Sequence, residues 1–491
     1  MSEPQVLQQS VLIEVEPVPG GSVQAKMPVD KTFRRYDQDQ PMLLAPDLRD
    51  WLPAGHPARW VDDLVEDGLD LSGIYADYTD VRGGPPYDPR LMLKILIYGY
   101  SHGITSSRAL ERRCQDDIAF RFLTAQAAPD FVAISRFRTR HGAALKALFT
   151  QSLSLCAQAG LVSLGRVALD GTKVRANASR HRAMSYDRMV RAESELAAEV
   201  DALLADAEAL DAAEDAAYGT DRRGDELPAE LSRREGRLAA IRKAKAALEA
   251  EHAAKARAQA EQAAAEQAQN PEQVAAAGDA AEAAAVVPDR TQRSFTDPDA
   301  RIMKTSDGSF HYCFNGQAVV DEKSQVVLAA SLRQSGSDAP ALPDMLIELA
   351  CSLTAAGIEG SPRTLLADAG YFSAANVDAT VTAGMDPLLA TGRLKHGQKP
   401  PPAPRGRIPA GLTPKQLMGR KLRTKKGKAD YARRKAIVEP VFGQIKVAQS
   451  AHQLRLRGHV KADIEWTFHL ACHNFRKLAG SGWTATAMAT N

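Results

Sequence analysis

The 491-residue chain is poor in several things, and each lack narrows what it can be. It has only five cysteines, Cys114, Cys156, Cys313, Cys351 and Cys472, an odd and scattered set. That pattern argues against a disulfide framework and predicts reduced thiols and a cytoplasmic setting. No apolar run approaches the ~20 residues of a membrane span, so no membrane partner is expected. The opening stretch MSEPQVLQQSVLIEVEPVPGG lacks a basic segment followed by a long apolar one, so no secretory signal is read there. There is no Gly-x₄-Gly-Lys phosphate loop, which speaks against a nucleotide cofactor. Aromatic residues make up 6% and the net charge is only +2.

The charge is small in sum but uneven in place. Between Arg393 and Val438 stand fifteen Lys or Arg and one acid, Asp430. Residues 187–289 are rich in Glu and Asp instead. A basic stretch in a near-neutral chain points to a local polyanion contact. A solvated basic loop would explain the charge as well, but not the residues around it.

The length suggests two to four domains. Residues 1–40 read as a flexible arm and 41–160 as helical. In DPRLMLKILIYGYSHG, Asp88 and Pro89 open a helix, apolar residues follow at helical spacing, and Gly103 ends it. Arg108, Arg112, Arg113, Arg136, Arg138 and Arg140 are expected on polar helix faces. A helix-turn-helix-like DNA-binding domain and a plain helical bundle fit this pattern equally.

From 161 to 480 the order is strand, hairpin, helix, strand, helix, strand, helix, which predicts a mixed α/β sheet flanked by helices. Residues 184–290 interrupt it. Met189, Leu196, Leu203 and Leu210 recur every seven residues, and Leu231, Leu238, Ile241 and Leu248 continue on a second helix, predicting an antiparallel coiled-coil hairpin. The Ala/Glu/Gln-rich stretch after it reads as low complexity, partly disordered. A basic Pro-rich loop is expected over 394–428 and a tail over 481–491.

Three acids stand at telling places. Asp170, in ALDGTKVRANAS, is read as ending a strand at an Asp-Gly turn. Asp368, in LLADAGYFS, ends another. Glu439 lies in YARRKAIVEPVFGQIK, on a helix within the basic region. Carboxylates at strand ends meet at the rim of an α/β sheet, where ligands bind. Three of them can hold Mg²⁺, which prefers oxygen ligands. Taken singly, each acid also has an ordinary reading as a turn former or a salt-bridge partner. Lys446 is two helical turns beyond Glu439 and shares its face, while Tyr431 and Arg434 lie one to two turns before it. Pro440 predicts a helix that bends or begins there. His469, Cys472 and His473 fall within one helical turn, a weak zinc pattern. Asp338, in SGSDAP, reads as a helix cap, or as a fourth acid near the metal site.

These motifs, with DPDARIMKTSDGSFHYCFNGQAVVD, resemble a DDE transposase of a bacterial insertion sequence, in the branch with a small helical N-terminal domain. The resemblance runs over most of residues 40–480. It implies an RNase H-like core, two Mg²⁺ ions with Mn²⁺ as a substitute, and cleavage and transfer of DNA strands. Carried over by position, Asp170, Asp368 and Glu439 become the metal-binding triad, and Tyr431, Arg434 or Lys435, and Lys446 become DNA-binding residues. The family's Tyr-Arg-Glu-Lys signature has three residues between Arg and Glu. Here Arg434 is separated from Glu439 by four, and Lys435 takes the matching place, so either can fill the role. The partners implied are double-stranded DNA, as terminal inverted repeats and target, and a second copy of the chain in a synaptic complex. A catalytically inactive, DNA-binding derivative is the alternative, and a helical scaffold built on the coiled segment a third.

Overall fold

The computed structural model describes residues 33, 47–79, 84–179, 183–218, 229–267, 270–392 and 401–485; at 203–218, 229–232 and 266 it describes the backbone. The expected arm, apart from Phe33, lies outside the described residues. So do Leu203, Leu210 and Leu231 as side chains, residues 393–400 of the basic loop, and 486–491 of the tail.

Seven helices come first: α1 (Pro57–Asp63), α2 (Ser72–Ala76), α3 (Pro89–Ser101), α4 (Ser107–Asp116), α5 (Ile118–Leu123), α6 (Phe131–Arg140) and α7 (Gly142–Gln158). Helix α3 starts as expected, with the Asp88 side chain accepting from the Arg90 N–H and Pro89 in the first turn. It is buried almost all round from Leu91 to Tyr100. A helix apolar on every side has to be central to its unit. Its one buried cation, Lys94, is paired with Asp62 at 2.6 Å and Glu66 at 2.5 Å. Arg108, Arg112, Arg113, Arg136 and Arg140 are exposed, but Arg138 is not. Its guanidinium turns inward to the Tyr100 hydroxyl at 2.9 Å and the Thr105 carbonyl at 2.8 Å. The polar-face reading fails there because a buried acid, Glu465, draws that cation inward.

The sheet follows: β1 (Arg166–Arg175), β2 (Ala183–Ser185), β3 (Gln292–Ser294), β4 (Arg301–Lys304), β5 (Phe310–Asp321), β6 (Val327–Arg333), β7 (Thr364–Ala367) and β8 (Asp386–Leu389). The main sheet runs β4-β5-β1-β7-β8, with β6 also on β5; β2 and β3 pair separately. Strand β5 is antiparallel to β1 and β6, while β7 and β8 run parallel to β1 and to each other. The fold is therefore mixed α/β, as expected. Strand β5 is buried continuously from Tyr312, which requires cover on both faces.

Helices α8 (Tyr186–Tyr218), α9 (Ala229–Glu266) and α10 (Pro271–Ala283) lie between β2 and β3. Met189, Leu196 and Val200 share a buried cluster with Leu238, Ile241, Ala244 and Leu248. Across it Arg234 meets Glu199, Lys245 meets Glu193 and the Tyr186 hydroxyl meets Glu249. Partner numbers fall on one helix as they rise on the other. The Ala-rich stretch is helical in α10, against the expectation of partial disorder. Asn270 and Gln273 cap it reciprocally, and alanine is the best helix former.

The remaining helices are α11 (Ala341–Ala355), α12 (Ala374–Thr382), α13 (Pro414–Arg423), α14 (Lys425–Val447) and α15 (His459–Gly480). Much of the basic region is thus helix rather than loop. Thr413 and Gln416 form a second reciprocal cap that starts α13. Helix α15 lies along the free edge of β6 and takes up its backbone groups. Asn474 bonds both the N–H and the carbonyl of Val327, Asp463 accepts from the Leu332 N–H at 2.8 Å, and His459 bonds the Leu332 carbonyl. An uncovered edge would template pairing with another chain. The N-terminal helices and the sheet share one hydrophobic core through α15. Among the described residues, no helix is long and apolar enough to cross a membrane.

Candidate active site

The strand register alone sets two acids side by side. The parallel ladder of β1 and β7 ends at the pair Leu169 and Ala367. The residues that follow this pair are Asp170 and Asp368. Contrary to the expectation from sequence, Asp170 does not end its strand: β1 continues through it to Arg175, paired with β5 from Val167 to Arg175. Gly171 is therefore not a turn glycine. It is required because a Cβ there would overlap the Gln317 amide and stand 2.8 Å from Asp338 Oδ1.

Asp170 Oδ1 accepts from the Gly171 N–H at 2.9 Å, and its Oδ2 accepts from Arg434 Nη1 at 2.8 Å. Burial pushes its carboxyl above the ordinary range; Arg434 pulls it down and the Asp368 charge pushes it up. Asp368 folds onto the turn after β7, accepting from the Gly370 N–H at 2.7 Å. Tyr431 stands in the same field: burial raises its phenol, with Arg434 opposing and both aspartates adding to the rise. Asp170, Asp368, Tyr431 and Arg434 thus form one cluster.

Glu439 and Lys435 are exposed on α14 and have no hydrogen-bond or ion-pair partner among the described residues. Of the two cations read for one role, it is Arg434 that contacts Asp170. Lys446 is half-buried and donates to the Lys173 carbonyl of β1 at 3.2 Å, and burial lowers its ammonium. Glu439 lies seven residues before it, on nearly the same flank.

Pro440 neither starts nor interrupts α14, which runs from Lys425 to Val447. The expectation of a helix beginning near it is not met. Proline leaves the carbonyl four residues back, that of Ala436, without its usual donor. Gln325, at the tip of the β5–β6 hairpin, donates to that carbonyl from Nε2 at 2.9 Å.

Five residues near the cluster, Asp338, Asn315, Gln317, Lys173 and Tyr371, do not stand out as a group in the sequence. Asp338 does not cap α11, whose N-cap position falls to Pro340. Its Oδ1 instead accepts from Asn315 Nδ2 at 2.7 Å and Gln317 Nε2 at 3.1 Å, with Lys173 Nζ at 3.5 Å. The Tyr371 hydroxyl donates to Gln317 Oε1. The available signal was Asn315 and Gln317 themselves, two amides on one face of an otherwise apolar strand.

Among the described residues, no three His, Cys, Asp or Glu side chains converge as a ready metal cage. The oxygens of Asp368 and Asp338 both border the Gly370 turn, and carboxylate oxygens are the donors a hard divalent cation takes. His469, Cys472 and His473 are buried within α15, and His473 bonds the Gln325 carbonyl. That is packing, not a zinc site.

Residues 46–140 match the family model of a transposase domain (DUF772), and residues 287–475 match that of a transposase DDE domain. Together they span more than half of the chain. It belongs to the DDE transposases. No curated protein and no solved structure matches it. Within this transposase, Asp368, Glu439 and Lys446 fall inside the DDE match, while Asp170 lies ahead of it on the strand that completes the sheet.

Proposed function

We propose that this transposase cuts DNA at the ends of an insertion sequence and joins those ends to target DNA, on an RNase H-like core. The observation that carries the reading is the adjacency of Asp170 and Asp368 at the end of the β1–β7 ladder, met there by Arg434 of α14. Asp170, Asp368 and Glu439 would hold the metal. Two Mg²⁺ ions, when bound, supply the charge that polarises the phosphate and acidifies the attacking water. Water adds to the scissile phosphorus as the P–O3′ bond breaks, leaving a 3′-hydroxyl. That hydroxyl then attacks a target phosphodiester. One P–O bond forms as one breaks, so no nucleotide is consumed.

The chain's own residues position the substrate. Lys435, Lys446 and the exposed cations of α13 and α14 give the phosphates a basic floor, with Tyr431 and Arg434 beside the acids. The helices of 41–160 bind the element end. The inserted coiled-coil hairpin of 184–290 supports a homodimer that brings two ends together.

The test is Mg²⁺- or Mn²⁺-dependent cleavage of the element's terminal DNA by wild type and Asp368→Asn. Cleavage by wild type and its loss in the variant is expected. Undiminished cleavage by the variant removes the catalytic assignment.

A further inference from the structure

Asp338 lies on neither of the strands nor on the helix that carry the proposed triad, yet its carboxylate faces the same place. It stands between the glycines that follow Asp170 and Asp368. Its Oδ1 is 2.8 Å from where a Cβ on Gly171 would be, and its Oδ2 is 3.4 Å from where a Cβ on Gly370 would be. Asp368 Oδ1 is 3.0 Å from that second point. Asp338 and Asp368 thus border one another across the Gly370 turn.

The two oxygens of Asp338 are used differently. Oδ1 is anchored by the donors of Asn315, Gln317 and Lys173. Gln317 is held in the orientation that does this because the Tyr371 hydroxyl takes its other end. Lys173 also donates to the Gly336 carbonyl at 2.9 Å, fixing the loop that carries Asp338. Oδ2 accepts no hydrogen bond among the described residues. Anchoring one oxygen and presenting the other is how a carboxylate is oriented as a ligand.

Asn315 supplies a separate observation. Its side chain is fully buried, and its Oδ1 has no hydrogen-bond partner. That oxygen points at Gly171, 2.9 Å from where a Cβ would stand. Leaving a buried amide oxygen unbonded is costly. The amide cannot simply turn over, because its Nδ2 is committed to Asp338 at 2.7 Å. An oxygen held unbonded against an acidic cluster is a neutral hard donor, the type that completes a magnesium or manganese site.

We propose that Asp338 is a fourth carboxylate of the catalytic centre, a ligand of a divalent cation shared with Asp368 across the Gly370 turn, with Asn315 Oδ1 as the neutral oxygen behind it. This rests on the transposase reading above but concerns a residue outside its triad. It also gives a reason for Gly171 and Gly370: any side chain at either would occupy the gap between the acids.

Two measurements on the full chain test it. Free Mn²⁺ is titrated by electron paramagnetic resonance against wild type, Asp338→Asn and Glu439→Gln. The Asn variant keeps an oxygen for the three anchoring donors, so its metal-free melting temperature should match wild type while its Mn²⁺ affinity falls at least tenfold. Unchanged affinity overturns the proposal. Independently of any variant, Fe²⁺ with ascorbate and peroxide is used to cleave the wild-type backbone next to bound metal. Cuts are expected at 336–340 as well as beside Asp170 and Asp368. Cuts beside Asp170 and Asp368 alone, with DNA cleavage intact, overturn the role of Asp338 and leave the transposase reading standing. No Mn²⁺ binding and no DNA cleavage by wild type would overturn both.

Discussion

Gln325 donates a hydrogen bond to the Ala436 carbonyl, the acceptor that Pro440 cannot serve. The bond ties the β5–β6 hairpin to the helix that carries Glu439. Gln325 also accepts from Lys477 at 2.8 Å and, through its carbonyl, bonds His473, so it clamps α14 to α15. Its backbone sits at φ +59°, a strained value for a residue with a Cβ, and these contacts hold it there.

Removing that side chain should therefore cost stability in a way that depends on the proline. Gln325→Ala is expected to lose about 1 kcal/mol in urea unfolding. In a Pro440→Ala background the helix regains its own N–H, and the same substitution should cost less. Strict additivity across the four proteins would show that the two sites do not communicate.

Arg434 and Lys435 should behave differently although they are neighbours. Arg434 favours the ionised form of Asp170, which burial alone disfavours. Without that cation, Asp170 needs a higher pH to ionise. Arg434→Met should shift the acid limb of Mn²⁺ binding to higher pH. Lys435→Met should leave that limb in place and reduce the salt slope of DNA binding by roughly 0.9, one phosphate contact. The same alkaline shift in both variants would refute the distinction.

The two buried histidines of α15, His469 and His473, predict an acid-side weakness. Burial lowers His469 to about 3 and His473 to about 4, so both are neutral in the folded chain. Their unfolded values lie near 6.5. Between that value and the folded ones, the unfolded chain binds more protons, so stability falls as pH falls through this window. Each contributes on the order of 1.4 kcal/mol per pH unit there. Urea midpoints measured from pH 7.5 to 5 should drop, and His469→Gln should flatten the drop. A wild-type midpoint that rises on acidification in that range would contradict this.

What the sequence revealed was largely local. The α3 start was legible because Asp88 and Pro89 act within one turn. The hairpin of β5 and β6 was legible because both strands are apolar runs around a polar turn. The acids Asp170 and Asp368 could be named, but their adjacency depends on a ladder between strands nearly two hundred residues apart. Asp170 was misread as a turn residue because Gly171 looks the same whether a chain reverses or is crowded from above. Asp338 shows the limit most plainly. Its cap-like setting is a local pattern, whereas its partners Asn315 and Gln317 come from strand β5. Arg138 was expected on a polar face because nothing near it in sequence announces Glu465.

The shared core carries a consequence for how far the enzyme can reach. Glu465 of α15 is fully buried and accepts from Tyr100 of α3, which Arg138 of α6 also bonds. The same helix seals the edge of β6. The N-terminal helices are consequently bolted to the sheet rather than hung from it on a tether. The molecule is built like a calliper: on the proposed function, an element end bound by the N-terminal helices would meet Asp170 at a distance fixed by side-chain packing. Where the strand is cut would then be counted off by the protein's own rigidity, and any loosening of α15 would show as cuts at more than one nucleotide.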